Sequence, residues 1–146
     1  MQPTSRESTA RNILITAGAY YLSVWVAGPV SFVFGKATQG LTYSGSFNTA
    51  VIAPLVVHLP IAAVAALAGS AVIYLVESNR RIPWAVVPAL LYALFGFLGY
   101  HWARPPLILD RVEQTIGALF PAFTCLIGAL LAENRMRTIR RISTSH

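Results

Sequence analysis

The sequence predicts an all-α membrane protein in which four transmembrane helices form one compact bundle. Charged residues make up only 11% of the chain, against roughly 25% in a typical soluble domain. These few charges are clustered, so that four segments of about a bilayer's thickness contain none. Arginines and lysines are also divided unequally between the two ends of the segments, which is typical of membrane proteins.

The charge-free segments set the boundaries of the predicted helices. They predict spans at about 12–34, 49–76, 83–103 and 112–132, within one domain that covers residues 1–146. Each span reaches or approaches the roughly 20 residues that cross a hydrocarbon core of about 30 Å. The segment 35–48 is rich in Gly, Ser, Thr and Asn, which favours a loop. The flanking segments 1–11 and 133–146 are predicted to be short cytoplasmic tails.

The positive charges predict that both termini lie in the cytoplasm. With the N-terminus inside, eight arginines fall on cytoplasmic segments, and only Lys36, Arg104 and Arg111 lie on the opposite side. This excess follows the positive-inside rule and predicts the inner, cytoplasmic membrane of a bacterium. Anionic lipid headgroups are the predicted partners of six of these residues, namely Arg80, Arg81, Arg135, Arg137, Arg140 and Arg141.

The same basic residues argue against nucleic-acid binding. A formal net charge of +6 is compatible with a nucleic-acid partner. However, the arginines stand between and after the apolar runs and do not form a stripe on one folded face. The sequence therefore predicts a lipid surface and no nucleic acid.

Small residues recur at helical spacing and predict close packing between helices. They are Ala19, Ser23, Ala27 and Ser31 in the first span, Ala65 and Gly69 in the second, and Ala85, Ala89 and Ala93 in the third. Small side chains let helix backbones approach each other in lipid. A face that the bundle itself does not need would dock another membrane protein. The leading functional hypothesis is therefore a non-catalytic structural or accessory subunit of a larger membrane complex.

One ionisable side chain, His58, lies well inside a predicted span, between Pro54 and Pro60. A polar group inside the bilayer is a functional candidate. Pro60 and Pro121 are predicted to kink their helices and to free carbonyl groups such as that of Gly117, because proline has no amide hydrogen. The alternative hypothesis is a small oligomeric transporter or channel with a polar site around His58. In the structural alternative, His58 only hydrogen-bonds a freed carbonyl.

A second histidine, His101, lies at the outer end of the third span, at a predicted depth similar to that of His58. Two imidazoles at one depth permit ligation of haem or a pigment, which is a weaker alternative. The cofactor, the substrate, the partner complex and the oligomeric state are left undetermined by the sequence.

Motifs of catalysis are missing from the sequence. It contains no Ser/His/Asp or Cys/His constellation, no glycine-rich phosphate loop and no pair of carboxylates inside a span. The single cysteine, Cys125, excludes an internal disulfide and the CxxC spacing of zinc sites. The sequence therefore predicts neither an enzyme nor a metal site.

Overall fold

Four long helices make up most of the described part of the chain. A computed structural model describes residues 5–38, 47–78, 80–103 and 108–143. The helices are α1 (Ser5–Thr38), α2 (Phe47–Leu75), α3 (Ile82–Ala103) and α4 (Ile108–Ser143). The prediction of an all-helical chain with four helices is therefore confirmed.

Three of the helices contain segments that are long and apolar enough to cross a membrane. These segments are Glu7–Phe34 in α1, Pro54–Leu75 in α2 and Arg111–Ile142 in α4. Among the described residues, α3 contains a shorter apolar segment, Ile82–Leu98. The expected insertion into a membrane is thus supported by length and composition for three helices.

The first and last helices are longer than the predicted spans. Their 34 and 36 residues correspond to about 51 and 54 Å at 1.5 Å per residue, against a hydrocarbon core of about 30 Å. Residues 5–11 and 133–143, predicted as tails, continue these helices. In α4 the extension is supported by an ion pair one turn apart, in which Arg137 Nε lies 3.1 Å from Glu133 Oε1.

The closest pair of helices is α2 with α4. A Cβ atom built on Gly128 would lie 2.8 Å from the carbonyl carbon of Ala66, and one built on Gly69 would lie 2.8 Å from that of Cys125. Ser70 Oγ donates a hydrogen bond of 3.0 Å to the Gly128 carbonyl across the same interface. Backbones that approach this closely leave no room for any side chain larger than hydrogen, as in other packed membrane helices.

Two clusters of buried apolar side chains join the helices. One lies where α2 ends and α3 begins and consists of Val72, Ile73, Val76, Ala85, Ala129 and Ala132. The other lies further along the bundle and consists of Ala65, Ala89, Tyr92, Ala122 and Cys125. Both clusters draw on α2, α3 and α4, so these three helices form the core of the bundle.

The end of α2 is closed by the side chain of Arg81. Its Nη1 donates 3.1 Å to the carbonyl oxygen of Ile73, and its Nε donates 3.2 Å to that of Ser78. The last carbonyls of a helix have no partner within the helix. Arg81 supplies partners for carbonyls at this end and thereby fixes the connection between α2 and α3.

Helix α1 packs on the outside of this core. Only 17% of its apolar segment is buried, against 39% for the segments in α2 and α4. Near its start, Arg11 forms an ion pair with Glu77, and Asn12 Nδ2 donates 3.4 Å to the Glu77 carbonyl. The position of α1 therefore depends on one narrow stripe of residues.

Candidate functional site

The stripe of α1 that faces the bundle consists of small and polar residues. Four of them are buried and follow one another at intervals of four or seven residues: Asn12, Thr16, Ser23 and Ala27. Ala19 and Ser31, which the sequence predicts on the same face of this helix, are half-buried. Because these side chains are short, α1 leaves open volume beside it where a larger residue would fill the space.

Tyr92 of α3 connects to this stripe through its hydroxyl group. The ring is buried, and its oxygen is hydrogen-bonded to Ser23 Oγ. Ser23 Oγ donates its own hydrogen to the Tyr20 carbonyl at 2.6 Å, so the hydrogen between the two hydroxyls comes from Tyr92. The rings of Tyr20 and Tyr92 also meet edge to face, with centroids 5.0 Å apart. This link holds α1 against α3.

A cavity of about 440 Å³ lies beside the link and is lined by residues from all four helices. Its volume falls within the range of roughly 300–1,000 Å³ that is usual for small-molecule sites. The apolar lining includes Val24, Ala27, Ile61, Phe95 and Pro121. Four side chains with polar groups also line it, namely Tyr20, Ser31, His58 and Tyr92.

His58, predicted as a ligand candidate, lines this cavity and is half-buried. Its predicted neighbours Pro54 and Pro60 are respectively buried and half-buried, and α2 runs through both without a break. His101 lies in α3, but its side chain is outside the described residues. Joint ligation of a cofactor by the two histidines therefore stays a prediction.

Pro121 interrupts the backbone hydrogen bonding of α4 where this helix borders the cavity. Because proline has no amide hydrogen, it leaves the carbonyl four residues earlier, that of Gly117, without its helical donor. Both Gly117 and Pro121 line the cavity, and α4 continues unbroken through them. Gly117 has no side chain, so its backbone atoms form that part of the wall.

Ser31 contributes a hydroxyl group that has not been used by the fold. Its Oγ is buried and has no hydrogen-bond partner among the described residues. Thr16 and Thr115, by contrast, donate to the carbonyls of Asn12 and Arg111, one helical turn earlier. The hydroxyl of Ser31 therefore has hydrogen-bonding capacity that the described part of the chain does not use.

A second opening, a groove of about 500 Å³, lies between α1 and α2. Its α1 side includes Gly18, Ala19 and Leu22, and its α2 side includes Leu67 and Ala71. Ser23 is the polar side chain of the lining, and its hydroxyl is already engaged with Tyr20 and Tyr92. This groove offers an apolar surface with little capacity for further hydrogen bonds.

The small residues predicted to form packing faces lie mainly in the interior of the helix bundle. Ala65, Gly69, Ala85 and Ala89 are buried, and Ala93 packs on the second core cluster. On α1, Ala19 and Ser23 border the groove, whereas Ala27 and Ser31 border the cavity. A partner subunit would therefore meet the groove and larger apolar side chains, because the small faces are taken up within the bundle.

The predicted headgroup-binding arginines lie at one end of the bundle. Five of them are exposed, namely Arg80, Arg135, Arg137, Arg140 and Arg141. Arg81 is half-buried, and its guanidinium caps α2 as described above. The exposed set forms a basic surface, while Arg81 also has a role within the fold.

No group of three or more metal-ligating side chains occurs among the described residues. Comparison of the chain with protein-family models, curated proteins and solved structures finds no match.

Sequence reasoning missed Tyr20, Tyr92 and Gly28 as members of the site. Tyr92 lies seven residues after Ala85 and three after Ala89, on the same side of α3. The spacing of the predicted small residues could therefore have identified it. A tyrosine in the middle of a span also requires a partner for its hydroxyl. The position of Gly28 had no comparable signal, because glycine occurs frequently in membrane helices.

Proposed function

We propose that this chain crosses a bacterial inner membrane four times and that both termini lie in the cytoplasm. Three apolar segments of sufficient length support three of the crossings. The fourth is supported by α3, whose 22 residues give about 33 Å of helix at 1.5 Å per residue. The orientation is supported by the excess of arginines on the proposed cytoplasmic segments.

Reporter fusions test this topology. A green fluorescent protein that folds only in the cytoplasm is expected to be bright at either terminus, and alkaline phosphatase at the same two positions is expected to be inactive. Alkaline phosphatase fused after residue 40 is the control and is expected to be active. Termini on opposite sides of the membrane would contradict the proposal.

The proposed activity is the binding of a small molecule in the cavity around His58, as part of a small transporter or channel and without a chemical step. One observation carries this proposal: residues of all four helices converge on a cavity that holds both aromatic rings and polar side chains. Polar groups inside a membrane bundle are costly and are usually functional, and such mixed cavities are typical of ligand sites. Passage across the membrane would require oligomers or movement of α1.

The identity of the ligand is not needed to test this activity. The protein is purified from its native membrane in mild detergent, and small molecules are extracted and identified by mass spectrometry. A compound enriched over detergent blanks is expected with the wild type. In His58→Ala the amount of bound compound is expected to fall at least about tenfold. This corresponds to a loss of about 1.4 kcal/mol of binding free energy.

The neighbouring variant Leu59→Ala serves as the matched control, because Leu59 is 52% exposed and does not line the cavity. Its content of bound compound is expected to equal that of the wild type. Flux of the identified compound into proteoliposomes then tests transport, and an unchanged flux with His58→Ala would exclude this site. Folded wild type that carries no compound would contradict the binding proposal.

A second role, that of a non-catalytic subunit in a larger membrane complex, is favoured by the groove between α1 and α2. Its lining is almost wholly apolar, and α1 is the least buried of the three long apolar segments. A helix of another membrane protein would fill such a groove through van der Waals contacts. Co-purification of a defined protein in mild detergent would support this role, and a stable preparation without one would count against it.

A further inference from the structure

The charge of the cavity lining restricts what can bind there. Among the described residues that line it, there is no Asp, Glu, Lys or Arg, and His58 contributes an imidazole, a group that is ordinarily mostly neutral at pH 7. Transfer of an ion into such surroundings is costly unless a charge of opposite sign accompanies it. The lining therefore favours an uncharged molecule.

Two groups in the lining need a hydrogen-bond partner. Ser31 Oγ is buried without one, and the Gly117 carbonyl lacks its helical donor because of Pro121. A hydroxyl group accepts and donates, so it satisfies either of these groups. A ligand that carries one hydroxyl is thus matched to this part of the wall.

Aromatic rings form another part of the wall. Tyr20 meets Tyr92 edge to face at 5.0 Å and stacks on Phe95 with centroids 5.9 Å apart and an interplanar angle of 22°. A planar ring in the cavity gains further contacts of the same kind. The wall therefore favours a ligand built on an aromatic ring.

The opening of the cavity faces the surroundings between α1 and α3. Three lining residues are exposed: Val24 and Gly28 of α1 and Phe95 of α3. Gly28 lies six residues before Phe34, where the apolar segment of α1 ends, and Phe95 lies within the apolar segment Ile82–Leu98 of α3. Six residues correspond to about 9 Å along the helix, so in a bilayer the opening meets lipid tails and not water.

We propose that the cavity binds an uncharged aromatic molecule with a hydroxyl group, and that this molecule enters from the bilayer between α1 and α3. The proposal depends on the ligand-binding role proposed above and specifies the chemistry of the ligand and its route. The ring packs against Tyr20 and Phe95, and the hydroxyl bonds to Ser31 Oγ, with the Gly117 carbonyl as an additional acceptor.

Three probes of one ring size separate these requirements. Equilibrium dialysis measures the binding of 1-naphthol, 1-methylnaphthalene and 1-naphthalenesulfonate to the full chain in lipid nanodiscs, with empty nanodiscs as background. Saturable binding is expected for 1-naphthol, and binding about three- to tenfold weaker for 1-methylnaphthalene, which lacks the hydroxyl. No saturable binding is expected for the sulfonate.

The variant Ser31→Ala is expected to lower the affinity for 1-naphthol toward the affinity for 1-methylnaphthalene. Its affinity for 1-methylnaphthalene is expected to equal that of the wild type. Equal or tighter binding of the sulfonate would overturn the requirement for an uncharged ligand. Equal binding of 1-naphthol and 1-methylnaphthalene to the wild type would overturn the requirement for a hydroxyl. A charged compound extracted from native protein would refute this ligand class while leaving the binding role intact, whereas folded protein without any compound refutes the role itself.

The route is tested by closing the opening. Val24→Cys with Leu98→Cys is joined by a flexible bismaleimide, and each single variant is treated as the control. Leu98 is exposed one turn after Phe95 without lining the cavity, and the native Cys125 is buried. Cross-linking before loading is expected to slow uptake of 1-naphthol at least tenfold, and cross-linking after loading to slow its release equally. Unchanged exchange after cross-linking of the double variant would overturn entry between α1 and α3.

Discussion

Gly28→Phe is expected to abolish binding of the native compound, with a loss of affinity of at least about tenfold or 1.4 kcal/mol. Gly28 lines the cavity, and a Cβ built on it has no neighbouring atom within 4 Å. The new ring therefore occupies space at the opening without displacing the backbone. The measurement is the amount of compound extracted from equal amounts of folded protein.

Gly18→Phe is the matched control for this expectation. Gly18 lies on the same helix, its Cβ would also be in open space, and it lines the groove between α1 and α2. The compound is expected to remain bound in this variant. If a partner protein occupies the groove, Gly18→Phe should release that partner, while Gly28→Phe should retain it. Equal loss of the compound in both variants would contradict the assignment of the ligand to the cavity.

Gly128→Ala is expected to lower the free energy of unfolding by about 1–3 kcal/mol, because it overpacks a backbone contact. A Cβ at this position would lie 2.8 Å from the carbonyl carbon and 2.9 Å from the Cα of Ala66. Neither atom can move unless α2 and α4 separate. The loss is measured by circular dichroism during titration with sodium dodecyl sulfate in mixed micelles.

Gly18→Ala again provides the comparison, because it makes the same chemical change on an open surface. It is expected to leave stability unchanged or to raise it by up to about 1 kcal/mol, since alanine favours the helix over glycine. Equal stability of Gly128→Ala and Gly18→Ala would show that the approach of α2 to α4 is less close than described.

Much of the architecture was predictable from the absence of charge. Lipid tails cannot solvate ions, so charge-free segments mark the helices, and the predicted beginnings of the second and third spans fall within two residues of Phe47 and Ile82. The outer limits of α1 and α4 were missed. A helix continues into water as readily as it crosses lipid when ion pairs such as Glu133 with Arg137 stabilise it. The residue at which the apolar segment ends is therefore not the residue at which the helix ends.

The candidate site was predictable in part. His58 stood out because an ionisable residue in a span is rare, and Ser31 because it continued a four-residue pattern. The pattern was interpreted as a surface for close packing, yet at Ala27 and Ser31 it borders a cavity. Periodicity identifies which residues share a face, but whether a neighbour fills the space depends on how far the facing helix lies, which no local pattern encodes.

The close contact between α2 and α4 also affects the order of events during synthesis. The two glycines that make this contact, Gly69 and Gly128, are 59 residues apart in the sequence. At 5–20 residues per second, the ribosome needs roughly 3–12 s to add that length. During this interval the newly inserted second helix has no permanent neighbour on its glycine side, so the nascent chain acquires this contact only after α4 has been synthesised.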